Sequence, residues 1–202
     1  HLLKTRLRGE NLDGAYMREA ELNEFDLTEA SLNGANLTQA QLRSASLQGA
    51  TMSNANLYLA NLQSANLKNA DLRGAILRGT NLNDVDLTDA NLSGAIYDEH
   101  TQWPSGFQPS NKGLYKIEYG ARLQGLKLNG ADLNDAILTE ADLRQMDLTD
   151  ADLKHASLQQ ANLYRAILTD SNLSKSDLRG ATLSYANLQD SVLTAADLKG
   201  AT

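Results

Sequence analysis

Leucine returns at every fifth position of this chain. From Leu2 to Tyr97 the only exceptions are Met17, Met52 and Tyr97, and from Leu123 to Leu198 there is none. Two residues before most of these stands an alanine, as at Ala30, Ala35, Ala40, Ala45 and Ala50. Between the two sits a short polar residue, often Asn or Asp. The unit reads A-(N/D)-L-x-x, as in Ala65-Asn66-Leu67-Lys68-Asn69. A helix cannot use this pattern: at about 100° per residue, each fifth side chain moves on by about 140° and the leucines circle the surface. A straight strand cannot use it either, because side chains alternate with period two and an odd repeat flips every second leucine. Within one unit, however, Ala and Leu are two apart and share a face. The pattern therefore predicts a short extended piece and a bend in every unit, winding the chain into a tube with Ala and Leu inside.

The last position of the unit suggests how many units close one turn of the tube. Gly14, Gly34, Gly74 and Gly94 fall on a twenty-residue frame, with Asn54 in the missing place. Gly and Asn are the residues that most readily accept a positive φ at a bend. The column predicts a coil of four units, although Gly9, Gly49 and Gly79 lie off it.

The two leucine runs are out of phase by one residue. Between them, His100-Thr101-Gln102-Trp103-Pro104-Ser105-Gly106-Phe107-Gln108-Pro109 carries both prolines, the only tryptophan and one of the two phenylalanines. Proline cannot donate to a ladder, so this segment is expected to leave the coil. The expected organisation is repeat coils over 1–99, an insertion loop over 100–120 and further coils over 121–202, as one solenoid domain. Trp103 and Phe107 are candidate partner contacts; the alternative is that they fold back and cover the solenoid's side, since exposed Trp is costly. A third reading makes the segment a boundary between two once-separate repeat blocks.

Composition narrows the picture. Two Phe, one Trp and seven Tyr in 202 residues are few for an ordinary core, and Leu with Ala implies a thin, repetitive one. The net charge of −7 disfavours general nucleic-acid binding, which needs Lys and Arg against phosphates. The absence of Cys removes disulfides, thiolate metal sites and a cysteine nucleophile. No apolar run approaches the ~20 residues of a membrane span, and no signal peptide is visible. The expected compartment is the cytoplasm, with periplasm and thylakoid lumen also compatible.

The A-(N/D)-L-x-x unit, with Leu at 33 of 36 central positions, resembles the pentapeptide-repeat family over nearly the whole chain. The resemblance implies an all-β fold: a right-handed quadrilateral β-helix, four pentapeptides per coil and about nine coils, interrupted by one loop. It implies that Ala and Leu point inward and the other three positions outward. The T-x-W-P-x-G-F-x-P insertion is similar to one in cyanobacterial members, which implies a cyanobacterial source. The rod would be roughly 40–45 Å long at the spacing of neighbouring strands.

A filled solenoid offers no pocket of convergent groups, and the chain is expected not to be an enzyme. His1, His100 and His155 have no metal-ligand spacing, and no phosphate-binding glycine loop is present. No catalytic residue, cofactor or metal is expected. Candidate binding residues remain on the outside. Asp150, Asp170 and Asp190 form one column on the twenty-residue frame; the alternative is that Asp simply suits the bend. Arg144, Tyr164, Arg165 and Tyr185 share another face, and Arg and Tyr are enriched at binding hot spots; the alternative is a solvated face. Tyr58 and Leu59 form a weaker pair.

The expected function is a non-catalytic structural or protein-interaction scaffold, with a protein partner and no direct nucleic-acid binding. The alternative, implied by one branch of the family, is a DNA mimic that binds a topoisomerase such as DNA gyrase. A rod of this length should then carry on the order of 25 negative charges, at one per about 1.7 Å of duplex. Instead, 11 acidic residues stand against 8 basic ones over 2–97 and again over 121–202, and no central position holds the Phe common in such mimics. The rod's ends have open edges. Thr5, Glu10 and Phe25 suggest a partial N-terminal cap, whereas Ala196-Asp197-Leu198-Lys199-Gly200 is a regular unit. That regularity leads to the expectation of an end-to-end homodimer through the C-terminal coil or a longer native chain.

Overall fold

The computed structural model describes residues 7–202. His1 and Thr5, the latter part of the expected cap, lie outside the described residues. The chain forms two compact units, His1–Tyr115 and Lys116–Thr202.

In both units the regular pentapeptides build the same parts. The residue before the central leucine makes a parallel bridge to the residue twenty places on. The series runs from Asn11↔Ser31 to Ile76↔Ile96 in the first unit, and from Arg122↔Asp142 to Asp177↔Asp197 in the second. Twenty residues are four pentapeptides. The leucine then opens a four-residue turn, closed when the next alanine N–H donates to the leucine carbonyl: Ala35 to Leu32 at 3.1 Å, Ala166 to Leu163 at 2.9 Å. The third residue of the turn has positive φ, 63° at Gly34 and 58° at Glu19 and Asp150. A positive φ at that place alone is a type II turn.

The inward set is the expected one. Ala30, Leu32, Ala35 and Leu37 are completely buried, and so are Leu153, Ala156 and Leu158. Each buried Leu contributes about 1.5–3 kcal/mol. Where a hydroxyl replaces the alanine methyl, it is satisfied by a carbonyl. Thr80 Oγ1 donates to Leu57 O at 2.8 Å, while Ser171 and Ser176 Oγ donate to the leucine carbonyls three residues back at 2.7 Å.

Backbone bookkeeping explains the preference for Asn and Asp. In the unit around Leu37, Asn36 N–H donates to Ala15 O (2.9 Å), Leu37 N–H to Asn56 O (2.7 Å) and Gln39 N–H to Tyr58 O (2.8 Å). The Thr38 N–H has no carbonyl, and Asn36 Oδ1 accepts it at 3.1 Å. The same Asx closure recurs at Asn56, Asn66, Asp86, Asp152 and Asn162. At Asn33, Arg43 and Ser53, where Ser31, Gln41 and Thr51 stand before the leucine or methionine, the previous coil supplies the acceptor instead. Asp13 Oδ1 accepts the Asn33 N–H at 2.8 Å, and Asn33 Oδ1 accepts the Ser53 N–H at 3.1 Å. The Ser31 hydroxyl on Asp13, together with that N–H, holds the carboxyl below its ordinary range. A short side-chain oxygen at either place thus keeps a main-chain donor from going unpaired.

One expectation is corrected. Positive φ does not single out the glycine column: the unit around Tyr97 lacks it, but the regular units among the described residues all end in it, with 23 non-glycine residues among them. These include Leu59, Arg165 and Tyr185 at 56°, 58° and 62°. Each costs roughly 1 kcal/mol, and the ladder enforces it: the N–H of that residue donates into the next coil, as Leu59 does to Arg78 O at 3.0 Å.

The first unit breaks its register at Asp98. Leu59 N–H finds the backbone carbonyl of Arg78, but Gly79 N–H instead finds the side chain of Asp98, at 2.9 Å. The turn slides one residue along, to Asp98–Thr101, and has no positive φ. Gln102 then bridges Asn81, twenty-one places back. The departure from the ladder is therefore narrower than 100–120. Thr101 is buried with its hydroxyl on Leu77 O at 2.8 Å, a turn at Pro104–Phe107 and a 3-10 turn at Pro109–Asn111 follow, and Tyr115 N–H returns to Ala95 O at 2.9 Å. There β1, Ile96–Tyr97, pairs with β2, Tyr115–Lys116. Trp103 stacks on Phe107 with centroids 4.7 Å apart and meets Tyr97 edge-on at 5.6 Å; all three pack against the leucine core.

Candidate functional site

The second unit brings together three of the four residues of the Arg–Tyr face. Tyr164 follows a central leucine, Arg165 ends that unit, and Tyr185 ends the unit twenty residues on. The two rings meet edge-on at 5.6 Å, and the Arg165 guanidinium lies over both, 5.1 Å from Tyr164 and 5.9 Å from Tyr185. Tyr185 is 80% exposed and Arg165 is exposed as well. Among the described residues the Arg165 side chain has neither a carboxylate nor a hydrogen-bond acceptor. Ile167, two residues on, is 42% exposed in a place where the motif calls for Asn or Asp.

Arg144 does not join this cluster. Its Nε and Nη2 grip Asp142 at 2.7 and 2.6 Å, and Nη2 also reaches Gln124. The same Asp-Leu-Arg clamp forms at Asp71-Leu72-Arg73 and Asp177-Leu178-Arg179. In all three the arginine's hydrogen bond holds the Asp carboxyl below its ordinary range and the guanidinium above its own.

The other candidates lie apart. Asp150, Asp170 and Asp190 occupy turn corners with φ of 58°, 58° and 56°; Asp150 and Asp170 donate their N–H groups to Thr169 and Gln189 carbonyls. Trp103 and Phe107 are half-buried against the core, with the geometry given above. Tyr58 lies under the guanidinium of Arg78 at 5.2 Å, and Arg78 is buried beside Asp98, with Nε 3.4 Å from Oδ2. Leu59 edges an open depression of about 680 Å³ with Glu19, Glu21, Gln39 and Gln41. His155 stands 3.4 Å from Asp135 on the surface. Among the described residues no group of three or more His, Asp or Glu could hold a metal, and no helix is long and apolar enough to cross a membrane.

Sequence reasoning missed Ile167 and the Arg78–Asp98 pair. Ile167 was legible as a departure from A-(N/D)-L-x-x. The ion pair was legible as well, since Asp98 lies twenty residues beyond Arg78 on the same frame.

The sequence matches the pattern of pentapeptide repeats, in eight copies, over residues 4–34, 20–57, 55–94, 119–154, 147–184 and 171–202. The unmatched stretch contains the break just described. Among solved structures the chain is similar to HetL, a pentapeptide repeat protein involved in heterocyst differentiation regulation from the cyanobacterium Nostoc sp. strain PCC 7120. Identity is 32% over 98% of this chain and 84% of that one, with a TM-score of 0.42. It is also similar to alr5209, a pentapeptide repeat protein from Nostoc PCC 7120, at 36% identity over 52% of this chain and 84% of that one, TM-score 0.30. Full-length QnrB1, a plasmid-mediated fluoroquinolone resistance protein, aligns at 13% identity over 98% of this chain and 90% of that one, TM-score 0.39. No curated protein matches the chain.

Proposed function

Since the chain belongs to the pentapeptide-repeat family, we propose that it is a non-catalytic interaction scaffold whose outward columns bind another protein. The finer reading of the fold, a right-handed quadrilateral β-helix of about nine coils, belongs to the same proposal and is supported by the twenty-residue pairing. The inward positions are filled by Ala and Leu, which leaves chemistry and recognition to the surface. The carrying observation is the Tyr164–Arg165–Tyr185 cluster. Two of its members, Arg165 and Tyr185, stand at turn corners and are exposed. Exposed Tyr and Arg at one spot are typical of binding hot spots. Capture from lysate of the source organism tests it. The wild type and Trp103→Ala should retain one partner in common, and Tyr185→Ala should lose it. Equal capture by all three would reject the cluster as the binding face.

A topoisomerase such as DNA gyrase is the weaker choice of partner. The Asp-Leu-Arg clamps neutralise carboxylates where a duplex mimic needs them bare. Purified protein should leave gyrase supercoiling unchanged; inhibition abolished by neutralising acidic residues would reverse the order.

A further inference from the structure

We infer that the Tyr164–Arg165–Tyr185 cluster recognises a single carboxylate, an Asp or Glu side chain flanked by apolar residues on a protein partner. This rests on the interaction reading above and names the chemistry of that site. Arg73, Arg144 and Arg179 show what an arginine of this chain does when a carboxylate is within reach: each grips it with two nitrogens at 2.6–2.9 Å. Arg165 has no such acceptor among the described residues. It is held instead by two ring faces, at 5.1 and 5.9 Å. Cation–π attraction to the two rings holds the guanidinium in place, and its N–H groups, with no acceptor among the described residues, can meet a carboxylate with two parallel hydrogen bonds. The two rings give the guanidinium an aromatic border, Tyr185 being 80% exposed, and Ile167, two residues along the chain, is 42% exposed. The rings would shield such a pair from water and strengthen it.

Charge decides between a carboxylate and a polyanion. The second unit holds 12 acidic and 9 basic residues, so a nucleic acid or a heavily phosphorylated segment meets repulsion around the one open guanidinium. One carboxylate flanked by apolar side chains matches one cation held over two tyrosine rings.

The test uses the full chain and four probes: an amidated hexapeptide with one Glu among leucines, its Gln counterpart, its phosphoserine counterpart, and a short DNA duplex. The readouts are the Arg165 Nε–H resonance and the Tyr185 ring resonances. Millimolar Glu peptide should shift both, and the Gln peptide should bind about tenfold more weakly, as expected on losing a charge-assisted pair. Arg165→Gln should erase the difference, with an unchanged far-UV spectrum. Arg165→Lys should weaken it, because lysine lacks the planar fork. Equal binding of the Glu and Gln peptides, tighter binding of the phosphopeptide or duplex, or no shift at all would overturn the inference. Lysate capture that depends on Tyr185 but not on Arg165 would overturn only the carboxylate assignment; loss of Tyr185 dependence would remove the interaction reading with it.

Discussion

Arg78 in the first unit and Arg165 in the second both lie over tyrosine, yet one is buried and the other is open to solvent. The difference arises twenty residues further along. Beyond Arg78 stands Asp98, which takes the guanidinium at 3.4 Å while its other oxygen accepts the Gly79 and His100 N–H groups. Beyond Arg165 stands Tyr185, which supplies a ring face and no acceptor. The repeat determines where an outward side chain begins; the next coil determines whether it is absorbed into the fold or left available.

The largest effect should come from breaking the buried member. Asp98→Ala leaves the Arg78 charge without its carboxylate and the Gly79 N–H without an acceptor. It should cost about 3–5 kcal/mol, measured by urea unfolding followed by far-UV circular dichroism. An unchanged midpoint would show that Asp98 is not a structural element. Adding Arg78→Met should recover at least half of the loss, because an apolar replacement removes the stranded charge. The remainder measures the turn N–H groups that Asp98 caps. A double variant as unstable as Asp98→Ala alone would assign the whole cost to the turn.

These two arginines also show what sequence reveals and what it leaves out. Inward positions were legible because five-residue periodicity admits one arrangement, and Leu32, Leu67 and Leu163 are fully buried as expected. The Tyr164–Arg165–Tyr185 contact followed from a twenty-residue frame alone. The frame itself was drawn from the wrong clue, since positive φ occurs at Glu19 and Tyr185 as readily as at Gly34: hydrogen bonding between coils overrides residue preference there. Arg144 was grouped with the tyrosines because columns reveal neighbours across coils, whereas its partner, Asp142, lies two residues back on its own chain. The Arg78–Asp98 pair lies on the same twenty-residue frame; the one-residue slip that follows Asp98, which lets its carboxylate cap the Gly79 and His100 N–H groups, did not show in the sequence.

Arg165→Ala should barely affect folding. An exposed cation over aromatic rings contributes about 0.5–1 kcal/mol, so its urea midpoint should move far less than that of Asp98→Ala. A loss as large as Asp98→Ala causes would make Arg165 structural and withdraw it as a binding residue.

The smallest effect concerns the clamps. The Asp142 carboxyl is held below its ordinary value by Arg144, so its folded pKa lies below the unfolded one, near 3.9. Its stabilisation is present above the unfolded pKa and fades as pH falls through the folded value. Asp142→Asn should therefore flatten the fall in melting temperature below about pH 4 and leave neutral stability within about 1 kcal/mol, as for other surface pairs. An identical acid profile would show that the clamp does not contribute.

The twenty-residue span kept by all but one of the isolated ladder bridges has a kinetic consequence. A typical long-range contact spans about a tenth of the 202-residue chain, a relative contact order that places a molecule held by parallel bridges beside helical bundles rather than β-sandwiches. Loop closure costs the same for each added coil and never grows with chain length. Refolding should be limited by the first pair of coils to form, after which growth proceeds neighbour by neighbour. A version lengthened by one twenty-residue block should then refold at nearly the same rate as the original.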